Sequence, residues 1–251
     1  MNRHAVVTGA GTGIGAAIAA QLAQAGCRVT LMGRRLEPLQ VHAQALGTEA
    51  YPVSADVADE NSVHSAMAVA REQHGAIDIL VNCAGQAPTA PFHKLTSEAW
   101  QSVLAVNLNG VFNCTQATLA DMRSQGWGRI INIASTASLK GYPYVSAYCA
   151  AKHGVLGLTR ALALELATSG VTVNAICPGF ADTDIIRNAV NDIVTKTGRS
   201  TEQALAHFTA ANPQGKLVQP SEIAASVLWL CSDAGQAVNG QAIAIDGGET
   251  A

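Results

Sequence analysis

Gly-Ala-Gly-Thr-Gly-Ile-Gly, residues 9–15, decides the fold because of the segments that stand on either side of it. The short run His4–Thr8 before it is β-like, and an Ala-rich helical stretch follows it to about Ala25. A glycine loop between a strand and a helix forms an anion site: a backbone without Cβ atoms lets phosphate approach, and free N–H groups at the helix start face it. A merely flexible glycine turn is less favoured, since both flanking elements fit.

Two patterns of glycine spacing fit this loop. One is Gly-x-x-x-Gly-x-Gly through Gly9, Gly13 and Gly15, and the other is Gly-x-Gly-x-x-Ala through Gly11, Gly13 and Ala16. Both patterns indicate a dinucleotide-binding site, and the sequence leaves the choice between them open.

The end of the second strand-like run bears on which dinucleotide is bound. A site that prefers NAD usually carries an acidic residue about 20 residues past the glycines, where it holds the ribose 2′-hydroxyl. Gly33, Arg34 and Arg35 stand there instead, and no acidic residue occurs before Glu37. Planar guanidinium donors suit a 2′-phosphate, so the sequence predicts NADP(H). NAD(H) remains the alternative if the two arginines are only surface charges.

Length and composition place the chain among globular α/β domains. It has 251 residues, of which 49% are hydrophobic and 13% charged, so it can bury a large core. The formal net charge of −3 and the lack of a Lys/Arg cluster argue against nucleic acid and anionic membranes as partners. We therefore expect small molecules, or further copies of the chain, as partners.

The cysteines and the N-terminal segment indicate the compartment. The six cysteines show neither Cys-x-x-Cys nor a Cys/His zinc spacing, so we expect buried thiols in a reducing environment and no metal site. No signal-like layout precedes the first strand, and no apolar run approaches the roughly 18 residues that span a bilayer. The expectation is a soluble, cytoplasmic protein.

Strand-like and helical segments alternate along the chain. The strand-like runs are His4–Thr8, Arg28–Met32, Ala50–Ser54, Ile77–Val81, Arg129–Ala134, Val171–Ile176 and Gln241–Ile245. This alternation predicts a parallel sheet of about seven strands with helices on both faces and ligands at the carboxyl ends of the strands. Asn107 separates two helical stretches, where we expect a kink or a site role because its amide competes for backbone partners.

The segment after the sixth strand-like run has mixed polarity. Residues 181–215 contain helical stretches near 182–197 and 201–211, before a helix that begins at Pro220 and the last strand. A long insertion at the carboxyl end of a strand is a candidate lid.

Tyr148 and Lys152 lie four residues apart in a segment with helical character, so both side chains can face one cavity. A phenol with an ordinary pKa near ~10 is a poor acid–base catalyst at neutral pH, but an adjacent cation favours the phenolate and lowers that pKa. The alternative is a structural role, in which the Tyr148 ring packs against the aliphatic part of the Lys152 side chain.

Six motifs together resemble the short-chain dehydrogenase/reductase family. They are Thr8-Gly9-x-x-x-Gly13-x-Gly15, Asn82-x-Ala84-Gly85, Asn107, Ser135, Tyr148-x-x-x-Lys152 and Pro178-Gly179, in the order and spacing of the family and over nearly the whole chain. One departure is Cys83, where the family more often has a second Asn. The resemblance implies one NAD(P)-binding domain over residues 1–251, with a Rossmann-type doubly wound sheet.

The resemblance also implies roles for individual residues. Tyr148 is expected to be the general acid in carbonyl reduction and the base in alcohol oxidation, and Ser135 to bind the substrate oxygen. Lys152 is expected to lower the tyrosine pKa and to bind the nicotinamide ribose, and Asn107 to hold a water that links Lys152 to solvent. The expected cofactor-binding residues are Gly9, Thr12, Gly13, Ile14, Gly15, Gly33, Arg34, Arg35, Asp56, Val57, Asn82, Ala84, Gly85, Tyr148, Lys152, Pro178, Gly179 and Thr183.

The substrate is inferred from a narrower resemblance. Residues 215–222 and the insertion before them look like the polyketide ketoreductases and the 3-oxoacyl-thioester reductases. The leading hypothesis is therefore reduction of a 3-oxoacyl thioester, carried on ACP or CoA, or of a similar ketone. The residues expected to bind substrate are Ser135, Tyr142, Tyr144, Val145, Tyr148 and Phe180.

Two other functions fit the sequence, and the resemblance bears on the assembly state as well. A secondary-alcohol dehydrogenase that oxidises a cyclic or aromatic alcohol would share every catalytic residue. A nicotinamide-binding regulator without turnover is favoured least, because it needs no Ser135, Tyr148 and Lys152 together. Relatives pair the helices that correspond to residues 108–124 and 146–167, so the resemblance also implies a homotetramer.

Overall fold

The computed structural model describes residues 1–251 as seven strands and nine α-helices. The strands are β1 (His4–Thr8), β2 (Arg28–Gly33), β3 (Ala50–Ser54), β4 (Ile79–Asn82), β5 (Gly128–Ile133), β6 (Val171–Pro178) and β7 (Ala242–Ile245). The helices are α1 (Gly13–Gln24), α2 (Leu36–Leu46), α3 (Glu60–His74), α4 (Ser97–Leu104), α5 (Gly110–Gln125), α6 (Ser146–Glu165), α7 (Asp184–Thr197), α8 (Thr201–Thr209) and α9 (Pro220–Cys231). No helix is both long and apolar enough to cross a membrane.

The seven strands are parallel and form one sheet in the order β3-β2-β1-β4-β5-β6-β7. The chain winds outward from β1 to β3, returns to place β4 beside β1, and then winds outward in the other direction. In such a sheet a crevice opens at the carboxyl ends of β1 and β4, where the connections diverge. The predicted α/β doubly wound architecture in one domain is confirmed.

Alternate residues of β1 pack against opposite layers of helices, because side chains alternate across a strand. Val7 belongs to the same buried cluster as Leu22 of α1 and Val227 of α9. Val6 packs with Met67 of α3 on the other face. All of these side chains are fully buried, so the helices hold the central strand from both sides.

Strand boundaries differ from the sequence prediction by two residues at two places, and by one residue at several others. β4 begins at Ile79 and not at Ile77, because the N–H of Ile77 donates to the carboxylate of Asp121 at 3.0 Å and not to a neighbouring strand. β6 continues to Pro178, because Cys177 and Pro178 pair with β7. The segment that follows β6 is thereby fixed to the sheet.

The junction between α4 and α5 is a π-helical turn, Ala105–Asn109. Asn107 lies in this turn and is fully buried. Single π-helical turns widen a helix locally and turn a side chain out of its regular position. The predicted irregularity at Asn107 is confirmed in this form.

The insertion between β6 and α9 is anchored at the carboxyl edge of the sheet. A bridge between Ala181 and Val218 closes its base. Phe208 of α8 packs edge-on against Phe180, with 5.4 Å between the ring centres. The two helices of the insertion are therefore attached beside the crevice.

Candidate active site

The glycine loop follows the first of the two spacing patterns. Gly9 and Gly13 have φ angles of +67° and +55°, in the left-handed region that favours glycine. A Cβ atom on Gly9 would lie 2.9 Å from the Cα of Ala84, and one on Gly15 would lie 2.3 Å from the carbonyl oxygen of Gly9. At Gly11 the nearest atom to a Cβ would be 3.4 Å away, an ordinary contact. Gly9, Gly13 and Gly15 therefore form the bare backbone cradle that a pyrophosphate requires.

Thr8 joins this loop to the turn after β4. Its Oγ1 atom accepts hydrogen bonds from the N–H groups of Cys83 and Ala84, both at 3.0 Å, and donates to the carbonyl of Val81 at 3.4 Å. The carboxyl ends of β1 and β4 are thus held together at the switch point of the sheet.

Two further predicted residues lie against the glycine loop. Thr12 is the exposed N-terminal cap position of α1, and Thr183 is the cap position of α7. The Cγ2 atom of Thr183 would be 3.1 Å from a Cβ on Gly13, so the start of the insertion touches the loop. Ile14 stands in the first turn of α1 and packs against the core beneath the loop.

Arg34 and Arg35 are exposed where β2 passes into α2, and Arg35 occupies the cap position of that helix. Neither guanidinium takes part in an ion pair. The hydroxyl of Ser54 donates to the carbonyl of Arg34 at 3.1 Å and fixes the backbone there. Two cations at a helix N-terminus repel the macrodipole, and an anion placed between them would relieve that repulsion.

Asp56 and Val57, two of the residues expected to bind the cofactor, lie in the turn after β3. The carboxylate of Asp56 accepts from the N–H of Ala58 at 3.0 Å, which closes the turn. Val57 is buried, and a Cβ on Gly110 would lie 2.7 Å from its Cγ2 atom. The side chain of Val57 therefore packs under α5, and its backbone carries any contact to a ligand.

Asn82 is among the residues expected to bind the cofactor, and its side chain is turned into the core. It is 3% exposed, and its Nδ2 atom donates to Asn132 at 2.9 Å and to Thr115 at 3.3 Å. Asn132 in turn donates to Thr159 of α6 at 2.9 Å. The side chain of Asn82 thus ties β4 to β5 inside the core, because these polar groups have no water to pair with there.

Ser135 follows β5 and is fixed by reciprocal hydrogen bonds with the turn after it. Its Oγ atom accepts from the N–H of Ala137 at 3.1 Å, and the Oγ atom of Ser138 accepts from the N–H of Ser135 at 3.2 Å. Ser138 is buried and has this structural role. The turn holds Ser135 in one orientation at the carboxyl edge of the sheet.

Tyr148 and Lys152 both lie on the inner face of α6. Lys152 is 4% exposed, its Nζ atom donates to the carbonyl of Ile133 at 2.7 Å, and it stands 5.6 Å from the centre of the Tyr148 ring. Burial lowers the pKa of Lys152 to about 8. Burial raises the pKa of Tyr148, and hydrogen bonding with Ser135 opposes that rise in pKa.

The raised pKa of Tyr148 differs from the expectation that Lys152 pulls it down. Loss of hydration of the phenolate outweighs the attraction of an ammonium that is 5.6 Å from the ring and bound to a carbonyl. The phenol is therefore protonated throughout the neutral range.

Asn107, in the π-helical turn between α4 and α5, is held by Gln86, a residue that the sequence did not indicate. Its Nδ2 atom donates to the carbonyl of Gln86 at 2.8 Å, and its Oδ1 atom accepts from the N–H of Gln86 at 3.3 Å. A Cβ on Gly85 would lie 2.9 Å from Asn107 Oδ1 and 3.9 Å from Lys152 Nζ. The absence of a side chain at Gly85 thus lets Asn107 and Lys152 lie close together.

The four additional residues expected to bind substrate fall into two groups. The ring of Tyr142 packs edge-on against that of Phe180, with 6.3 Å between the ring centres. Tyr144 and Val145 instead line a small apolar pocket beside α4, with Pro88 and its neighbours. Tyr144 is 63% exposed and has a φ of +66°, a strained value for a residue with a Cβ.

Gly179 lies beside Glu249, another residue that the sequence did not indicate. Its N–H donates to the carbonyl of Ile245 at 3.0 Å, which leaves Pro178 and Gly179 at the end of β6 beside the last strand. A Cβ on Gly179 would lie 3.3 Å from a carboxylate oxygen of Glu249. The only sequence signal for Glu249 is its place just after the carboxyl end of β7.

The doubly wound sheet, the glycine cradle and the Ser135–Tyr148–Lys152 cluster at one edge define a class, the nicotinamide-dependent oxidoreductases. Within that class, residues 3–193 match the family described as short chain dehydrogenase. The chain belongs to the short-chain dehydrogenase/reductase family, whose members are NAD(P)-dependent oxidoreductases acting on carbonyls and alcohols.

Similar proteins cover the whole chain. A cis-4-hydroxycyclohexanecarboxylate dehydrogenase of Sinomonas cyclohexanicum is 41% identical over 253 residues, which are 99% of this chain and 97% of that protein. A D-beta-hydroxybutyrate dehydrogenase of Rhizobium meliloti is 37% identical over 258 residues and 100% of both chains. A crystal structure of an actinorhodin polyketide ketoreductase variant with NADPH superposes with a TM-score of 0.94 at 39% identity, over 99% of this chain and 97% of the other.

Proposed function

We propose that this protein is an NADP(H)-dependent oxidoreductase that reduces the ketone of a 3-oxoacyl thioester, carried on ACP or CoA, or of a similar molecule. The observation that carries the proposal is the pairing of a half-buried Tyr148 with a buried Lys152 beside Ser135, at the sheet edge that also bears the glycine cradle. When bound, the dinucleotide supplies or accepts the hydride.

The chain's own groups supply the proton and the binding of the substrate oxygen. Ser135 donates a hydrogen bond to the carbonyl oxygen and stabilises the negative charge that develops there. Tyr148 gives its proton to the same oxygen as general acid, or takes it as base in the reverse direction. Because burial raises the pKa of Tyr148, the acid form predominates at neutral pH, which favours reduction.

Lys152 and Asn107 act behind the tyrosine. In the proposal Lys152 binds the nicotinamide ribose and its charge favours the phenolate that forms when Tyr148 gives up its proton. Asn107 lies near Lys152 across Gly85 and would hold the water through which a proton returns. Both residues are buried, so this proton reaches Tyr148 from inside the protein.

The residues at the crevice would hold the dinucleotide along its length. The bare backbone of Gly9, Gly13 and Gly15 suits the pyrophosphate, and the unpaired cations of Arg34 and Arg35 suit a 2′-phosphate. At the adenine end we propose Asp56 and the backbone of Val57, and at the nicotinamide end Ala84, Gly85, Pro178, Gly179 and Thr183. Contact from Asn82 would come from its backbone, since its side chain is turned into the core.

The proposed substrate class is supported by two observations. The aromatic pair Tyr142 and Phe180 gives an apolar wall near Ser135. The likeness to a polyketide ketoreductase at 39% identity extends over the whole chain, including residues 181–215, which we propose as the lid. Phe208 would couple movement of this lid to Phe180.

A second candidate function is oxidation of a cyclic secondary alcohol. It is favoured by the 41% identity to a dehydrogenase named for a hydroxylated cyclohexanecarboxylate. Assays of acyl thioesters, cyclic ketones and simple alcohols with NADPH, NADP⁺, NADH and NAD⁺ distinguish the two functions. Thioester reduction no faster than background, or a clear preference for NAD(H), would contradict the first proposal.

We also propose a homotetramer. Two exposed apolar residues support it: Phe112 on α5 and Leu164 on α6 are 48% and 81% exposed. Interfaces between identical subunits are more apolar than the rest of a protein surface. A monomer in light scattering at micromolar concentration would contradict this assembly.

A further inference from the structure

The last residues of the chain fold back onto the candidate site. The buried carboxylate of Asp246 accepts hydrogen bonds from the N–H groups of Gly248 and Thr250, both at 3.0 Å, and from the hydroxyl of Thr250 at 2.6 Å. These bonds close a turn that directs the intervening Glu249 toward the end of β6.

The carboxylate of Glu249 is buried and has two charged or polar partners. Its side chain is 2% exposed, it accepts from the hydroxyl of Tyr142, and it forms an ion pair with Lys140 at 3.0 Å. The Nζ atom of Lys140 also stands 5.1 Å from the centre of the Tyr142 ring. The side chain of Lys140 is 39% exposed, so its ammonium borders open space while the acid lies beneath it.

This cluster is connected to the predicted catalytic turn. The hydroxyl oxygens of Tyr142 and Thr136 are 2.7 Å apart, and Thr136 directly follows Ser135. A phenol has one O–H donor, and that of Tyr142 is used in the hydrogen bond to Glu249. The Thr136 hydroxyl is therefore the donor in its hydrogen bond with Tyr142. The Tyr142 ring contacts Phe180, so the same side chain connects the β5 and β6 sides of the site.

We propose that Glu249 is a positioning and specificity-determining residue. It holds Tyr142 in the substrate wall and neutralises Lys140, so that the site accepts uncharged ketones in preference to carboxylate-bearing ones of the same shape. The proposal rests on the proposed ketone reduction. Without the acid, the Lys140 ammonium would stand as an unpaired cation beside the substrate, where it would attract carboxylates.

The test uses Glu249→Gln, which keeps the shape of the side chain and an acceptor for Tyr142 while it removes the charge. The probes are cyclohexanecarboxamide and cyclohexanecarboxylate, two unreactive ligands of one shape that differ in charge, titrated into the NADPH-loaded protein by calorimetry. We expect the ratio of carboxylate to carboxamide affinity to rise about fivefold, the upper end for a partly exposed ion pair. The double variant Glu249→Gln with Lys140→Met should return the ratio to within about twofold of wild type.

A matched control is Asp192→Asn, which frees Lys196 from an exposed ion pair on α7. It should leave the ratio unchanged. A ratio in Glu249→Gln within about twofold of wild type would overturn the proposal, and so would a rise that persists in the double variant. Failure of both ligands to bind any of the proteins at millimolar concentration would also overturn it.

Lys140→Met alone provides a second test if the glutamate variant does not fold. It leaves the Glu249 carboxylate uncompensated, so carboxylate affinity should fall relative to carboxamide affinity, and an unchanged ratio contradicts the proposal. These titrations require no turnover. Absence of ketone reduction by the wild-type protein would therefore contradict the proposed function while the charge preference could still be measured.

Discussion

The Nζ atom of Lys152 lies 5.6 Å from the centre of the Tyr148 ring, and its hydrogen bond goes to the carbonyl of Ile133 at 2.7 Å. The ammonium thus donates to the backbone of β5, and no hydrogen bond joins it to the phenol oxygen in this arrangement. In the proposed mechanism Tyr148 exchanges the proton with the substrate, and the buried Lys152 supplies charge without touching the substrate oxygen. The predictions for catalysis follow from this geometry.

Tyr148→Phe removes the proton donor and keeps the ring. We expect kcat for ketone reduction to fall by about 100- to 10,000-fold, the usual contribution of a positioned acid or base. The dissociation constant of NADPH, measured by quenching of intrinsic fluorescence, should change far less. Tyr51→Phe, at a residue of β3 outside the site, is the matched control and should retain activity. Comparable kcat values for Tyr148→Phe and wild type would exclude Tyr148 as the acid.

The pH dependence of reduction should reflect the protonation state of Lys152. Burial lowers its pKa to about 8, so the side chain is charged below that pH and becomes neutral as the pH rises through it. Tyr148 stays protonated over the same range because burial raises its pKa. We therefore expect kcat/KM for reduction to be level from pH 6 to 7 and to fall above about pH 8. In Lys152→Arg, whose guanidinium stays charged, the fall should move to higher pH even if the overall rate is lower. A rate that rises through pH 8 in wild type would contradict this assignment.

Local sequence patterns were sufficient to predict most of the strands and helices. β1 and β3 and the helix that begins at Pro220 have the predicted bounds, because alternating apolar residues, glycines and proline act on their own neighbourhood. The glycine loop could be located but its spacing pattern could not be chosen, since the choice depends on the approach of Ala84 from the turn after β4.

Contacts between distant segments account for what the sequence did not indicate. Gln86 pairs with Asn107 through its backbone, which carries no residue-specific pattern. Glu249 accepts a hydrogen bond from Tyr142, which lies 107 residues earlier in the chain. The side chain of Asn82 points into the core because it bonds Asn132 of the next strand. The direction of the Tyr148 pKa also depends on burial, which only the packed structure supplies.

Arg34 and Arg35 should set the preference between the two dinucleotides. Replacement of both by Ala removes the unpaired cations at the start of α2, and we expect the KM for NADPH to rise about 10- to 100-fold, as for loss of charge-assisted hydrogen bonds to a phosphate. The KM for NADH, which lacks that phosphate, should change less than about threefold. Arg123→Ala on α5 is the control for loss of an exposed arginine. An equal effect on both dinucleotides would show that the arginines do not bind the 2′-phosphate.

His4 should make the fold sensitive to acid. It is fully buried on β1, its Nδ1 atom bonds the carbonyl of Gly75 and its Nε2 atom bonds Thr30, both at 2.9 Å. Burial lowers the pKa of His4 to about 4, whereas the unfolded chain takes up the proton near its ordinary value of 6.5. Folding stability is therefore full above pH 6.5 and declines as the pH falls toward 4.

The size of this loss follows from the shift in pKa. About 3 kcal/mol of unfolding free energy should disappear between pH 7 and 4, measured by urea unfolding at several pH values. In His4→Gln the curve should be flatter in this interval although the variant is less stable overall. His64→Gln, at an exposed histidine of α3, should keep the wild-type slope. Identical slopes for His4→Gln and wild type would contradict the assignment.

The two spacing patterns of the glycine loop predict opposite outcomes for a single methyl group. At Gly15 a Cβ would lie 2.3 Å from the carbonyl oxygen of Gly9, so Gly15→Ala must displace backbone that forms the cradle. At Gly11 the nearest atom is the Cβ of Pro38 at 3.4 Å and φ is not left-handed, so Gly11→Ala fits. We expect Gly15→Ala to weaken NADPH binding at least tenfold, which corresponds to about 1.4 kcal/mol, and Gly11→Ala to change it less than about twofold. Because both variants add one methyl group within the same loop, each controls for the other. Weaker binding by Gly11→Ala than by Gly15→Ala would restore the second pattern, through Gly11, Gly13 and Ala16.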